Sequence, residues 1–286
     1  MMDIRVDLFR RSYFIHVPEN YTGTDPLPLL VVLHGAFSDG EEMEKFTGFS
    51  DLADQENFVV VYPNGIGLFN WLRHWNSGHC CGRARNLNID DVAFVETVMD
   101  QVVDRLSINR ERIYLVGHSN GGMLAYRFAA EKSKEIAAAA VVSGTIGGKP
   151  SAHEPEWRVP DPKAPVPMII FHGEKDERIP YHGGVDPRGR SGRTWIDVGT
   201  SVRFWVSHDG CKDNPRSRSL FNGRVRIKSW ESCKDRTAVR FYTLSQWGHA
   251  WPGPYFKSRF AGYPGDDFDA ARIIWDFFKS YQKTRP

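Results

Sequence analysis

A serine in the middle of the pattern G-x-S-x-G, at residues 117–121, constrains the fold of this chain more than any other feature. A strand-like run at 113–116 comes directly before the pattern, and a mostly apolar stretch at 123–130 follows it after one further glycine. The glycines on both sides of Ser119 allow backbone segments to approach closely at a sharp turn. The pattern therefore predicts a strand, a turn that raises the Ser119 hydroxyl above the edge of a sheet, and a helix.

Strand-like runs alternate with amphipathic helices along most of the chain. Runs typical of strands that are buried on both faces lie at 29–33, 58–62, 113–116, 137–142, 168–171 and 239–244. Val92, Val95 and Met99 recur at three- and four-residue steps, which predicts a helix that begins near Asp90. Because such alternation needs crossover connections, we predict an α/β fold with a mainly parallel central sheet and helices on both faces. Alternating residues before position 18 predict an antiparallel N-terminal hairpin.

Length and composition fit one globular unit with inserted loops. The 286 residues are 41% hydrophobic and 13% aromatic, which excludes an intrinsically disordered chain. Three segments fall outside the alternation of strands and helices: a Pro-rich stretch at 147–167, a Gly- and Arg-rich stretch at 181–193 and a basic stretch at 211–233. We therefore expect a single catalytic domain over residues 1–286, with these three segments as loop insertions that could shape a pocket.

Charge and hydrophobic run lengths argue against two classes of partner. The formal net charge is only +2, so no large field would attract nucleic acid or an anionic membrane. No apolar run approaches the ~18–20 residues that cross a bilayer. We expect a small-molecule or polymer-derived substrate with little charge, no nucleic-acid partner, no membrane partner, and a monomer or small homo-oligomer.

The residues that could activate Ser119 follow it in the chain. A serine hydroxyl needs a neighbouring base, and in chains of this pattern an acid and then a histidine follow, each on a loop after a later strand. Among ten histidines, His249 alone has this order and lies just past the last predicted strand. The alternative for His249 is packing between two tryptophans. For the acid we predict Asp176, with Glu174 and Glu177 of the same loop as alternatives.

Two backbone N–H groups are expected to stabilise the oxyanion of an acyl-transfer reaction. One belongs to the residue after the nucleophile, Asn120, and the other comes from the loop after the strand at 29–33, where Ala36 is the candidate. Each such donor is typically worth ~3–4 kcal/mol of transition-state stabilisation. The letters alone are equally compatible with a simple strand-ending turn at residues 34–35.

Cysteine and histidine spacing predicts no metal and no cofactor. The Trp, His and Cys side chains between 71 and 81 match no standard zinc pattern, and His-Glu-x-x-His does not occur. An aromatic pocket wall or core packing is the preferred interpretation. Cys80 and Cys81 could form a vicinal disulfide, and Cys211 and Cys233 suit either one disulfide across a short loop or two reduced thiols.

Seven blocks spread over nearly the whole chain carry a family resemblance. They are Arg11-Ser12-Tyr13, residues 28–35, Tyr62-Pro63-Asn64-Gly65, Asp90-Asp91-Val92, residues 117–122, His172-Gly173-x-x-Asp176 with Ile179-Pro180-Tyr181, and residues 248–253. With these blocks the chain resembles the polyhydroxybutyrate depolymerase/feruloyl esterase family of α/β-hydrolases, which is related to carbohydrate esterase family one. The block around His249 is the most specific of the seven.

The resemblance implies an α/β-hydrolase fold and a serine carboxylic-ester hydrolase that acts through an acyl-enzyme, with Ser119, Asp176 and His249 as its triad. The implied substrates are feruloyl-type or similar aromatic esters. The alternatives are short hydroxyalkanoate polyesters or oligomers, and acetylated xylan. The resemblance also implies a disulfide between Cys211 and Cys233. It further implies secretion, with a signal peptide that this chain lacks, and a cytoplasmic location is the alternative.

Aromatic side chains near the predicted triad are candidates for substrate binding. Because aromatic rings stack well on a planar acyl group, we predict Trp75, Tyr181 and Trp251 as pocket walls. The chain departs from the resembled family at Ala36, where many relatives carry a cysteine. It also departs at 147–167, which is longer and richer in proline.

Overall fold

The elements of the fold follow one another in the alternation expected from the sequence. The structure, a computed structural model, describes residues 1–6, 9–68, 71–189, 192–254 and 268–283. Within these ranges the strands are β1 (Met2–Val6), β2 (Phe9–His16), β3 (Leu27–Leu33), β4 (Val59–Pro63), β5 (Ile66–Leu68), β6 (Trp71–His74), β7 (Ile108–His118), β8 (Ala138–Val142), β9 (Gly147–Gly148), β10 (Trp157–Arg158), β11 (Met168–Gly173), β12 (Gly184–Val185), β13 (Thr194–Trp195), β14 (Arg216–Leu220), β15 (Val225–Trp230) and β16 (Val239–Leu244). The α-helices are α1 (Gly40–Thr47), α2 (Phe49–Glu56), α3 (Gly82–Asn86), α4 (Asp91–Arg105), α5 (Asn120–Glu131), α6 (Val198–His208) and α7 (Ala270–Phe278).

One large mixed sheet organises the molecule. Its ten strands lie in the order β1-β2-β4-β3-β7-β8-β11-β16-β15-β14. The six middle strands, from β4 to β16, are parallel to one another. The strands at both edges pair antiparallel, and β1 with β2 form the predicted N-terminal hairpin. The mainly parallel sheet and its antiparallel hairpin are therefore confirmed.

Helices cover both faces of the sheet because successive side chains of a strand point to opposite sides. In β3, Leu29, Val31 and Leu33 pack in one core with side chains of α4, α5 and α6. Leu30 and Val32 pack in a second core with side chains of α1, α2 and α7. The two cores fix the carboxyl edge of the parallel strands, where the loops after β3, β7, β11 and β16 meet.

The three segments expected to be loop insertions contain paired strands. In 147–167, β9 pairs with β10, and β12 of the next segment pairs with β13, which directly follows that segment. Backbone hydrogen bonds join these two ribbons, because Thr194 N donates to Lys149 O at 3.0 Å and Ile196 N donates to Gly147 O at 3.0 Å. The third segment, 211–233, is no separate loop, since its strands β14 and β15 extend the main sheet.

Two disulfides cross-link the chain. Cys211 and Cys233 are bonded and connect the end of α6 to the chain after β15, as the family resemblance implied. The adjacent Cys80 and Cys81 are bonded as a vicinal disulfide. No helix in the described parts of the chain is both long and apolar enough to span a bilayer.

Candidate active site

Ser119 lies at a strained turn between β7 and α5. Its backbone has φ 55° and ψ −120°, a conformation that side-chain-bearing residues rarely adopt. Close packing fixes the turn, because a Cβ atom on Gly117 would collide with the backbone of Gly121. A Cβ on Gly121 would in turn collide with the carbonyl groups of Leu33 and His34. The close packing therefore leaves no room for a side chain at either motif glycine. The turn exposes the Ser119 hydroxyl at the carboxyl edge of the sheet.

Three predicted side chains form one hydrogen-bonded line. His249 Nε2 lies 2.8 Å from Ser119 Oγ. On the other side of the ring, His249 Nδ1 lies 2.8 Å from Asp176 Oδ2 and 3.0 Å from Oδ1. Ser119 follows β7, Asp176 follows β11 and His249 follows β16, so the loops of three parallel strands bring the side chains together. Glu174 and Glu177, the alternative acids, are exposed and Glu174 pairs with Arg226 instead.

The carboxylate of Asp176 is buried but stays ionised. Burial by itself raises its pKa, yet the attraction of His249 and the hydrogen bonds that the carboxylate accepts outweigh burial and lower the pKa to about 2. Two of those bonds come from the backbone, since Arg178 N and Ile179 N donate to Oδ1 at 2.8 and 2.9 Å. At neutral pH the group therefore presents a fixed negative charge to the Nδ1 side of the His249 ring.

A second histidine holds the His249 loop in place. His118, the last residue of β7, donates from Nε2 to the carbonyl oxygen of His249 at 2.8 Å. Burial lowers the pKa of His118 to about 3, so its ring is neutral and carries its single hydrogen on Nε2. The sequence does not predict this contact of His118, because His249 is 131 residues away in the chain.

Hydrogen bonds to Trp75 hold the two segments that carry Ala36 and Asn120. Asn120 begins α5, where backbone N–H groups have no acceptor within the helix. Its side chain is hydrogen-bonded to both backbone groups of Trp75, accepting from Trp75 N at 2.7 Å and donating to Trp75 O at 3.1 Å. On the other loop, His34 O accepts from the indole Nε1 of Trp75 at 2.8 Å, and His34 Nε2 accepts from Gly65 N at 2.8 Å. Trp75 therefore joins the two loops that flank Ser119.

Comparison with known proteins shows what this arrangement is similar to. Residues 11–155 match the model of the family described as esterase PHB depolymerase, which is just over half of the chain. The chain belongs to the esterase PHB depolymerase family.

The curated relatives are longer than this member of the family. The chain is 25% identical over 279 residues to "Feruloyl esterase B" of Piromyces equi, and the match covers 95% of this chain and 45% of that protein. It is 30% identical over 182 residues to "Probable feruloyl esterase C" of Aspergillus oryzae, with 61% of this chain and 58% of that protein covered. The chain thus spans about half the length of these two relatives.

Solved structures place this PHB depolymerase-type chain among the α/β-hydrolases. The structure titled "Acetyl xylan esterase from Aspergillus awamori" superimposes with a TM-score of 0.62 at 15% identity, over 93% of each chain. At such low identity the likeness concerns the fold alone, and it confirms the predicted α/β-hydrolase fold.

A cavity of about 560 Å³ opens around Ser119 and His249 in this family member. Ala36 and Asn120, the predicted oxyanion donors, line it beside Ser119. Trp251 also lines the cavity, and its ring packs against Phe49 at 5.9 Å between centroids. The remaining apolar lining includes Phe37, Met43, Phe46, Met123, Ile179 and Trp195.

Two of the three predicted aromatic walls lie elsewhere. Trp75 is fully buried and stacks near Phe94, with ring centroids 6.3 Å apart, so it does not reach the cavity. Tyr181 packs beside Phe241, and its hydroxyl lies 3.0 Å from Thr243 Oγ1. Neither ring lines the cavity around Ser119, because aromatic type and chain position do not tell which side of a loop a ring faces.

The histidine and cysteine side chains near the cavity pack against aromatic rings or are joined in a disulfide. No group of three or more His, Cys, Asp or Glu side chains in the described ranges is placed to hold a metal ion. His79 instead lies among aromatic rings, with Trp157 at 5.8 Å and Trp195 at 5.6 Å between centroids. Sequence reasoning missed Trp195, whose position in the cavity wall depends on the pairing of β12 with β13.

Proposed function

We propose that this protein is a serine carboxylic-ester hydrolase that works through an acyl-enzyme. The observation that carries the proposal is the line of hydrogen bonds from Ser119 Oγ to His249 Nε2 and from His249 Nδ1 to Asp176. A nucleophile, a base and an orienting carboxylate in this geometry have the roles of a catalytic triad. Membership of the esterase PHB depolymerase family supports the same reaction class.

In the proposed reaction, His249 Nε2 accepts the hydroxyl proton while Ser119 Oγ attacks the carbonyl carbon of the ester. The tetrahedral intermediate then collapses, the ester C–O bond breaks, and His249 gives its proton to the departing alcohol. Water attacks the resulting acyl-serine with His249 again as the base, which releases the carboxylic acid and restores Ser119. Asp176 keeps the hydrogen on Nδ1 and stabilises the imidazolium that forms in each half-reaction.

Backbone donors stabilise the charge that develops on the carbonyl oxygen. We assign the N–H groups of Ala36 and Asn120 to this oxyanion hole, since both residues line the cavity beside Ser119. Because the donors are main-chain groups, their strength does not depend on side-chain identity. The contacts of Trp75 with both loops hold the donors in position before substrate arrives, which is the condition under which such donors are most effective.

The similarity to known proteins favours a feruloyl-type or similar aromatic ester as the substrate class. Relatives named as feruloyl esterases and the apolar cavity lining that includes Trp251 support it. Hydroxyalkanoate oligomers and acetylated xylan are the alternatives. The arginines in the cavity wall instead favour a substrate with an acidic group, which the oligomers carry.

We further infer that residues 1–286 act as one catalytic domain in an oxidising compartment. The main sheet takes strands from Met2 to Leu244, which supports a single unit. Disulfides persist where thiols are not kept reduced, so the bonded cysteine pairs support export from the cell.

The direct test of the proposed function is hydrolysis of p-nitrophenyl butyrate by the wild type, Ser119→Ala and Ser217→Ala. Ser217 is exposed on β14 and serves as the matched serine control. We expect Ser119→Ala to lose activity by a factor of at least about 10³ and Ser217→Ala to match the wild type. A fluorophosphonate probe should add its mass to the peptide that contains Ser119. Equal rates for wild type and Ser119→Ala would reject the proposal.

A further inference from the structure

Three arginines line the cavity that holds Ser119. They are Arg178, in the loop after β11, and Arg188 and Arg193, between β12 and β13. The described residues that line this cavity include no aspartate and no glutamate. We call these three side chains the arginine wall. It gives the cavity a concentrated positive charge, although the whole chain carries a formal net charge of only +2.

The buried carboxylate of Asp186 balances part of this charge. Arg188 Nε lies 3.6 Å from the buried carboxylate of Asp186. No carboxylate in the described part of the chain forms an ion pair with Arg178 or Arg193. Asp176 is two residues from Arg178 in the chain, but its oxygens are already engaged by His249 and by backbone N–H groups. Arg178 and Arg193 therefore have no direct ion-pair partner among the described residues, although Asp186 also attracts Arg193.

Two buried donors in the same wall also lack acceptors. Arg193 Nε and Trp195 Nε1 are both buried, and no described residue accepts a hydrogen bond from either atom. The guanidinium of Arg193 lies 5.5 Å from the centre of the Trp195 ring, so the two donors belong to one cluster. Burial lowers the pKa of Arg193, the attraction of Asp186 opposes this effect, and the nearby charge of Arg85 adds to it. Buried donors without partners are unfavourable, so this part of the cavity wall has unused hydrogen-bonding capacity.

We propose that this cavity takes an ester that also carries a carboxylate, and that the arginine wall binds this carboxylate while Ser119 attacks the ester carbonyl. The inference rests on the proposed ester hydrolysis. Guanidinium groups match the geometry of a carboxylate and form paired, charge-assisted hydrogen bonds with it. The apolar lining at Phe37, Met43 and Trp251 would take the hydrocarbon part of the same molecule. Oligomers of hydroxyalkanoic acids end in such a carboxylate, whereas methyl ferulate has none.

Matched pairs of esters that differ only in this charge test the proposal. In the first pair, 3-acetoxybutyrate and 3-acetoxybutyramide, the acidic group lies on the alcohol part of the ester. In the second pair, monomethyl glutarate and methyl glutaramate, it lies on the acyl part. We expect the wild type to show a kcat/KM at least about tenfold higher for the carboxylate member of one pair. The pair that responds identifies which part of the substrate meets the arginine wall.

Substitutions in the wall should reduce this preference. We expect Arg193→Gln and the double variant Arg178→Gln/Arg193→Gln to lower the ratio of the two kcat/KM values about tenfold, mainly through KM for the carboxylate ester. Arg193→Lys should keep part of the preference, because it keeps the charge. Arg216→Gln, at an exposed arginine of β14 outside the cavity, is the matched control and should leave the ratio unchanged. The ratio does not depend on the fraction of active enzyme, so imperfect folding of a variant does not mimic the effect.

The outcomes separate the two proposals. If the wild type hydrolyses p-nitrophenyl butyrate in a Ser119-dependent way but treats both members of each pair alike, the arginine wall does not bind a carboxylate. An unchanged ratio in the double variant would overturn the inference in the same way. If Ser119 is not required for hydrolysis, the proposed function itself fails.

Discussion

Asp176 and Glu177 are neighbouring acids in one loop, and their carboxylates differ in burial and in hydrogen-bond partners. Asp176 is 5% exposed, accepts two backbone hydrogen bonds and faces the ring of His249. Glu177 is exposed to solvent. At the scale of single residues, the pairing with His249 therefore supports Asp176, rather than Glu177, as the proposed orienting acid.

Substitution of each acid gives a direct comparison. We expect Asp176→Asn to lower kcat on p-nitrophenyl butyrate by roughly 10³–10⁴-fold, because an amide no longer stabilises the imidazolium and admits the wrong tautomer of His249. Glu177→Gln, the matched control, should stay within about twofold of the wild type. Steady-state kinetics at pH 7 measure both effects. A similar loss in the two variants would contradict the assignment of the acid.

At the scale of elements, the Cys211–Cys233 disulfide joins the end of α6 to the chain after β15. These cysteines are 22 residues apart in sequence and do not line the cavity around Ser119. The bond is therefore placed to stabilise the edge of the fold without contacting the reaction site.

Removing this bond should change stability and leave the chemistry alone. We expect Cys211→Ser/Cys233→Ser to lower the free energy of unfolding by about 3 kcal/mol, since an open loop of this length has more freedom in the unfolded chain. The kcat on p-nitrophenyl butyrate should remain that of the wild type. Urea denaturation measures the first quantity, with Lys212→Ser as the control at an exposed neighbour. Unchanged stability in the double variant would refute this role.

The sequence predicts the helices and strands of this fold better than it predicts which side chains line the cavity. The buried runs and the order of Ser119, Asp176 and His249 follow from patterns within one element or one loop, so the sequence predicts them. The sequence does not predict that Trp75 and Tyr181 lie outside the cavity lining, because the direction of a ring depends on packing with residues that are distant in the chain. The arginine wall depends on β12 and β13 and on their backbone bonds to β9, and no local pattern contains that information.

At the scale of the whole molecule, net charge describes this protein poorly. The balance of 37 basic and 35 acidic residues led us to expect a substrate with little charge. That expectation treats the charges as evenly spread, whereas the cavity gathers three arginines at one wall. Attraction of an anion is therefore local to the cavity and short in range.

Salt dependence distinguishes a local field from a global one. Because the Debye length falls from ~10 Å at 0.1 M salt to ~3 Å at 1 M, added salt should weaken binding of an anion to a partly open wall. We expect kcat/KM for the responsive carboxylate ester to fall several-fold over this range, while its carboxamide partner changes by less than about twofold. Equal salt dependence for both esters would argue against charge recognition.

The side chain of Asn120 gives the residue after Ser119 a structural role within the pattern G-x-S-x-G. The pattern accepts any residue after the serine, yet in this protein the side-chain amide of Asn120 bonds to both the N–H and the carbonyl of Trp75. Aspartate would offer no donor to that carbonyl, and leucine would offer neither partner. In this protein the position after the serine is therefore restricted too, because the planar side-chain amide of Asn120 must satisfy the N–H and the carbonyl of Trp75 at once.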